Sequence, residues 1–193
     1  PIPALARLWD RGLPPAPAVA GVVHAPTLLA PPARRRYRLV VTVHDAVPWT
    51  HPHTLTPRGV AFHTRIGRRV AAGADLIVTP TEAVAVALRR ILSPTAPVVA
   101  VHSGVVAATV PPDAAQRRHA LGLDPDGYVL FVGTAEPRKG LATLVSALAQ
   151  PDLAGRSLVV AGPAGWGDVN INDIVDQAGV AGRVRIVGRV DDL

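Results

Sequence analysis

The sequence predicts an α/β protein of two Rossmann-like lobes with parallel sheets, both incomplete. Three observations carry this expectation. Short apolar, β-branched runs alternate with helically spaced segments along most of the 193 residues. The alternation breaks once, from Val105 to Pro112, and then restarts. Glycine, histidine and cations stand just after the predicted strands, where open α/β sheets gather their ligands.

Taken in order, the segment up to Pro17 is rich in proline and arginine and shows little periodicity. Residues 19–24 form a short apolar strand that exits at His24-Ala25-Pro26. Residues 39–43 are uninterrupted and β-branched, as a central parallel strand should be. Residues 56–73 read as a helix, with Pro57 suited to the first turn and Gly73 to the end. A strand at 75–79, a helix from Thr81 through Leu92 and a strand at 98–101 complete the first lobe. A short helix at 113–121 connects to strands at 128–132, 157–161 and 183–187, with helices at 140–149 and 171–178 between them. The expected division is a first lobe at 1–106, a linker at 107–126 and a second lobe at 127–193. Four strands and three are fewer than the roughly five or six of a complete doubly wound sheet.

Composition narrows the function classes. Apolar residues make up 49% and charged residues 18%, a globular balance. The chain has no cysteine, which excludes disulfides, thiolate metal sites and thiol nucleophiles. No apolar run approaches the ~20 residues that span a bilayer, and no signal peptide is visible, so cytoplasmic residence is the default expectation. With no methionine and a proline at position 1, the native beginning is expected upstream. The net charge of +6 is scattered apart from Arg34-Arg35-Arg36 with Arg38. That run, without interleaved aromatics, reads as a solvated loop rather than as a site for nucleic acid or anionic lipid.

The most informative stretch is Val132-Gly133-Thr134-Ala135-Glu136-Pro137-Arg138-Lys139-Gly140, which holds the only lysine among 20 basic residues. It joins a strand to a helix N-terminus, where free N–H groups and the helix dipole favour an anion. Arg138 and Lys139 add formal charge. A phosphate site and an ordinary turn with solvated cations both fit this pattern.

His44-Asp45 follows the strand at 39–43. A neutral histidine there can donate to a substrate hydroxyl, and Asp45 can orient it or accept from a sugar hydroxyl. Taken alone, the pair reads first as a turn cap before Pro48 and a half-buried histidine. His51 and His53 lie nearby without ligands at metal spacing, so no metal is expected. Gly104, after His102-Ser103, suits a cleft floor, a hinge or a plain turn. Gly162 and Gly188 end two further strands. Dinucleotide fingerprints, Walker loops and nucleophile elbows are absent from the sequence.

In this order, the segments resemble family 4 retaining glycosyltransferases of the GT-B fold. The pieces are Val43-His44-Asp45, Ala74-Asp75-Leu76-Ile77-Val78-Thr79-Pro80-Thr81, Val101-His102-Ser103-Gly104-Val105 and Phe131 through Gly140. Leu158-Val159-Val160-Ala161-Gly162 with Trp166, and Val184 through Val190, close the set. The resemblance implies transfer of a hexose from a nucleotide-diphosphate sugar to an acceptor hydroxyl with retention, with no cofactor beyond that donor. The Thr-Ala-Glu-Pro-Arg-Lys pattern is similar to mannosyltransferase-type members, which makes GDP-mannose the implied donor. Lys139 and Arg138 would hold the diphosphate, and His44, across the cleft, would contact the donor sugar near its anomeric carbon. Backbone from Gly188 to Val190 would line the base, with Gly162 near the nucleotide. The acceptor would be a glycan or a lipid, compatible with peripheral membrane association; nucleic acid is not an expected partner. Thr134 stands where many members carry arginine, which shifts part of the clamp to Arg138. The family's pair of glutamates seven residues apart falls beyond Leu193, and its glycine-rich acceptor loop has no counterpart before Val19. The chain thus reads as the middle of a longer enzyme, inactive alone. The alternatives are a non-catalytic nucleotide- or partner-binding module of the same fold and, more weakly, a sugar-nucleotide epimerase.

Overall fold

The computed structural model describes residues 2–123, 127–165 and 170–190. Its elements run α1 (Ile2–Asp10), β1 (Gly21–Ala25), β2 (Tyr37–Thr42), α2 (Val47–Thr50), α3 (Pro57–Gly73), β3 (Leu76–Thr79), α4 (Glu82–Leu92) and β4 (Val98–Ala100). They continue through α5 (Ala114–Ala120), β5 (Tyr128–Val132), α6 (Leu141–Leu148), β6 (Ser157–Ala161), α7 (Ile171–Gln177) and β7 (Val184–Gly188). Two separate sheets result, β1-β2-β3-β4 and β5-β6-β7, and every pairing is parallel. The fold is α/β with two Rossmann-like lobes. The chain separates into two compact units, Pro1–Val106 and Ala107–Leu193, and α5 groups with the second.

In the first unit, helix starts follow capping chemistry. The Thr56 hydroxyl accepts from the Gly59 N–H at 3.1 Å ahead of Pro57, and the Thr81 hydroxyl accepts from the Val84 N–H at 3.2 Å. Ile66 and Val70 of α3 and Ala85 and Leu88 of α4 pack on Leu39, Val41 and Ile77 as one apolar core. A Cβ at Gly67 would lie 2.5 Å from Cζ2 of Trp49, so the missing side chain is what lets α2 settle on α3.

Two features depart from the sequence expectation. The proline- and arginine-rich start forms α1, because Leu5, Leu8 and Trp9 share a half-buried helical face. Asp10 then pairs with Arg65 of α3, and the Trp9 indole N–H donates to the Pro15 carbonyl at 2.7 Å. Strand β2, expected to be central and apolar throughout, buries one face only. Tyr37, Leu39 and Val41 are buried, whereas Arg38 is exposed and Val40 and Thr42 are half-buried. The reason is strand order. A sheet that advances in one direction through same-handed crossovers sends its helices to one side.

The second unit repeats the arrangement. Leu141, Val145 and Leu148 of α6 and Val175 of α7 cover Leu158 and Val160. Leu130 and Val132 of β5 remain exposed.

Candidate functional site

The second unit concentrates its candidate residues at the carboxyl ends of its three strands. The ladder continues past the strands themselves: the Gly133 N–H donates to Ala161 O at 2.9 Å, and the Gly162 N–H donates to Gly188 O at 2.7 Å. Glycine is required at two positions. Gly162 has φ +142°, and a Cβ there would lie 2.1 Å from the Gly133 carbonyl oxygen. A Cβ at Gly165 would lie 1.4 Å from the Ala135 carbonyl oxygen. The loop after β6 therefore rests backbone-to-backbone on the loop after β5. Beside this contact is a cavity of about 720 Å³ lined by Ala135, Gly162, Gly165, Asn172, Asp173 and Gly188, among others. The volume falls in the range of small-molecule sites.

The two cations stand on the Pro137–Lys139 turn that leads through Gly140 into α6. Gly140 adopts φ +67° and offers no side-chain cap, and the N–H groups of Leu141, Ala142 and Thr143 have no hydrogen-bond partner among the described residues. Lys139 is exposed, and no carboxylate among the described residues pairs with it. Its Cε approaches Gly133, 3.9 Å from a Cβ built there.

Arg138 differs from the sequence expectation. Its Nη2 lies 2.6 Å from Oε1 of Glu136, a carboxylate whose residue is only 8% exposed. A guanidinium committed to a buried carboxylate brings little net charge to an anion, so Glu136 offsets the share of a phosphate clamp that the resemblance assigns to Arg138. Sequence reading missed this acid because the i, i+2 pairing exists only once residues 137–139 coil into a tight turn. It also missed Asn172 and Asp173, whose place on the cavity wall depends on how α7 returns to the sheet. Thr134 is half-buried and its carbonyl accepts from the Glu136 N–H at 2.9 Å. Val190 is exposed two residues beyond β7. Trp166 lies outside the described residues.

In the first unit, His44 and Asp45 also follow a strand carboxyl end. The exposed His44 places Nε2 2.8 Å from the Pro26 carbonyl oxygen. A carbonyl only accepts, so Nε2 carries the proton, and Nδ1 is an acceptor in the neutral tautomer that this contact selects. In that tautomer the nitrogen left open is an acceptor, whereas the sequence expectation has His44 donate to a hydroxyl. Asp45 Oδ1 accepts from the Val47 N–H at 3.0 Å, the turn-capping bond that the sequence admits. His24, which sequence reading treated only as a strand exit, has Nε2 2.8 Å from the Thr42 hydroxyl.

Gly104 departs from its expected reason. It is exposed, a Cβ would meet nothing within 4 Å, and its φ is not positive, so no close approach demands glycine there. Among the described residues, no group of three or more His, Asp or Glu side chains could hold a metal. No helix among them is long and apolar enough to cross a membrane.

No family model matches the sequence, and no curated protein does. Solved structures match, among them WaaG, described as a glycosyltransferase involved in lipopolysaccharide biosynthesis. The TM-score is 0.59 at 16% identity, over 80% of this chain and 49% of that one. The chain spans about half the length of the solved structure it matches. At that identity the likeness is one of fold, and the fold is that of the Rossmann-like lobes of GT-B glycosyltransferases.

Proposed function

We propose that this chain serves glycosyl transfer: retaining movement of a hexose from a nucleotide-diphosphate sugar to an acceptor hydroxyl. The second unit takes the nucleotide. The observation that carries this reading is the pairing of Lys139, at the uncapped start of α6, with the glycine-walled 720 Å³ cavity on the same sheet edge. The nucleoside occupies the cavity beside Gly162 and Gly188, and its diphosphate meets the Lys139 ammonium and the first-turn N–H groups of α6. As the bond to the sugar breaks, negative charge builds on the departing diphosphate, and these fixed positive groups stabilise it. On the first unit, His44 Nδ1 and the Asp45 carboxylate offer acceptors to sugar hydroxyls. GDP-mannose is the first donor to test.

The test separates phosphate from base. Calorimetric titration with nucleoside diphosphates and with bare nucleosides is run on the parent and on Lys139→Ala. Loss of one charged hydrogen bond, worth about 1.5–3 kcal/mol, should weaken diphosphate binding roughly ten- to hundredfold. Nucleoside affinity and melting temperature should stay within error. Equal diphosphate affinity in a folded Lys139→Ala protein would overturn the reading.

The Glu136–Arg138 pair favours a second reading, a nucleotide-binding module without chemistry, because it leaves the turn with one uncompensated cation. Consumption of nucleotide sugar in the presence of acceptor glycans distinguishes them. Binding without consumption by the intact gene product selects the module.

A further inference from the structure

We propose that a second cavity, at the amino ends of β6 and β7, is a binding site for a small aliphatic carboxylate. This goes beyond the glycosyl-transfer reading and does not rest on it. The cavity holds about 440 Å³ and lies within the second unit, at the strand ends opposite the glycine-walled one. Its floor is the sheet face that α6 and α7 leave uncovered. Leu158 and Val160 pack under those helices, so Ser157 and Val159 point the other way. Arg185 joins them, because it pairs with Val159 across β6 and β7.

The residues that follow α5 form another wall. The Gly122 N–H donates to His119 O at 2.8 Å and the Leu123 N–H to Arg118 O at 3.0 Å, the paired bonds of a Schellman cap. Gly122 takes φ +62°, and a Cβ there would lie 2.8 Å from Cζ, 2.8 Å from Nη2 and 3.0 Å from Nη1 of Arg185. Such near-equal distances put that point over the face of the guanidinium. The guanidinium therefore lies against a glycine backbone that the helix cap holds in place.

Two polar groups of this cavity have no use within the chain. Arg185 makes no hydrogen bond or ion pair among the described residues. Ser157 Oγ is closed to bulk solvent and has no hydrogen-bond partner, which buried hydroxyls seldom lack. Arg183, also on the cavity wall, is committed: its guanidinium donates to Leu153 O at 2.7 Å and to Leu148 O at 2.8 Å. One open guanidinium calls for one planar anion, and a carboxylate matches its fork in shape and in charge. A carboxylate is also acceptor-only, so the same group accepts from the Ser157 hydroxyl. Leu123 and Val159 give a short apolar tail its wall. A phosphate dianion fits less well, because the cavity offers it a single uncommitted cation.

The experiment is calorimetric titration of the full chain with butyrate, butyramide and inorganic phosphate, with melting temperatures recorded beside it. Butyrate should bind at a single site with a dissociation constant on the order of 1 mM, the strength expected of so small a probe. Butyramide keeps the shape without the charge and should bind roughly tenfold more weakly or worse. Arg185→Ala should weaken butyrate by a similar factor, roughly tenfold or more, and Ser157→Ala severalfold. Ser157→Ala has a second readout. With the unpartnered hydroxyl gone, the free variant should melt higher than the parent yet gain less from saturating butyrate. Lys139→Ala should bind butyrate as the parent does, which separates this site from the cavity at the other strand ends. Butyramide or phosphate binding as tightly as butyrate would overturn the proposal, as would the lack of saturable butyrate binding to the folded parent. So would parent-like butyrate affinity in a folded Arg185→Ala or Ser157→Ala protein, or an equal loss in Lys139→Ala.

Discussion

Glu136 sets the electrostatics of the turn that carries Arg138 and Lys139, because a nearly buried carboxylate 2.6 Å from a guanidinium cancels most of its field. Glu136→Gln keeps the shape and removes the charge. Nucleoside diphosphate affinity should then rise several-fold, with a steeper dependence on salt, and titration at two ionic strengths reads both. Affinity that stays level or falls would mean that Arg138 contributes nothing to the anion. Gly162 and Gly188 make a second comparison. Both have positive φ, but only Gly162 would drive a Cβ into a carbonyl oxygen. Gly162→Ala should cost on the order of 3 kcal/mol or more, and Gly188→Ala about 1–2 kcal/mol. Urea unfolding of the two variants measures the difference; equal losses would show that the loop after β6 gives way. At this scale the sequence was legible in kind but not in role. Lys139 stands out by rarity and Gly162 by following a strand, yet the Glu136 pairing and the Nε2 bond of His44 to Pro26 come from turns that no local pattern announces.

Elements were far more legible than side-chain roles, for a physical reason. The strands are short apolar runs whose β-branched residues have few alternatives, and α3 and α4 begin at threonine caps visible in the sequence. Helix α1 escaped because its stabilising partners, Arg65 and the Pro15 carbonyl, lie outside it. Asp75 shows the same long reach at the start of β3. Its carboxylate accepts from the Leu39 N–H at 2.8 Å and pairs with Arg38, and these two contacts hold its pKa below the ordinary 3.8. A depressed folded-state pKa contributes stability that is fully present above the unfolded value and is lost as pH falls through the folded one. Acidification below about pH 3.8 should therefore destabilise the parent more than Asp75→Asn, which lacks the titrating group. Denaturant midpoints for both proteins between pH 6 and pH 3 check this. Parallel pH profiles would remove Asp75 from the acid sensitivity of the first sheet.

At the scale of the molecule, the interrupted rhythm after β4 becomes a physical property of the chain. Residues 101–110 are all exposed, and none belongs to a helix or strand. Val105 and Val106 are 92% and 93% exposed, although Val is among the residues most often buried. Apolar side chains in an irregular exposed segment are what proteases of aliphatic specificity seize, because the backbone can adopt an extended conformation without breaking a ladder. The segment contains neither lysine nor arginine, so trypsin has no site there despite the basic composition of the chain. This gives a discriminating digest. Elastase or thermolysin at low ratio should cut first within residues 102–110 and yield two fragments by intact mass. Trypsin should leave this segment whole and start at exposed arginines such as Arg34 to Arg36. Each half retains its own sheet and core cluster, so the elastase fragments should resist further cutting longer than the junction did. A first elastase cut inside β1 to β4 or β5 to β7 would mean that a sheet opens more readily than the segment between the units. The open faces carrying Leu130 and Val132 would then be the weak point of the molecule.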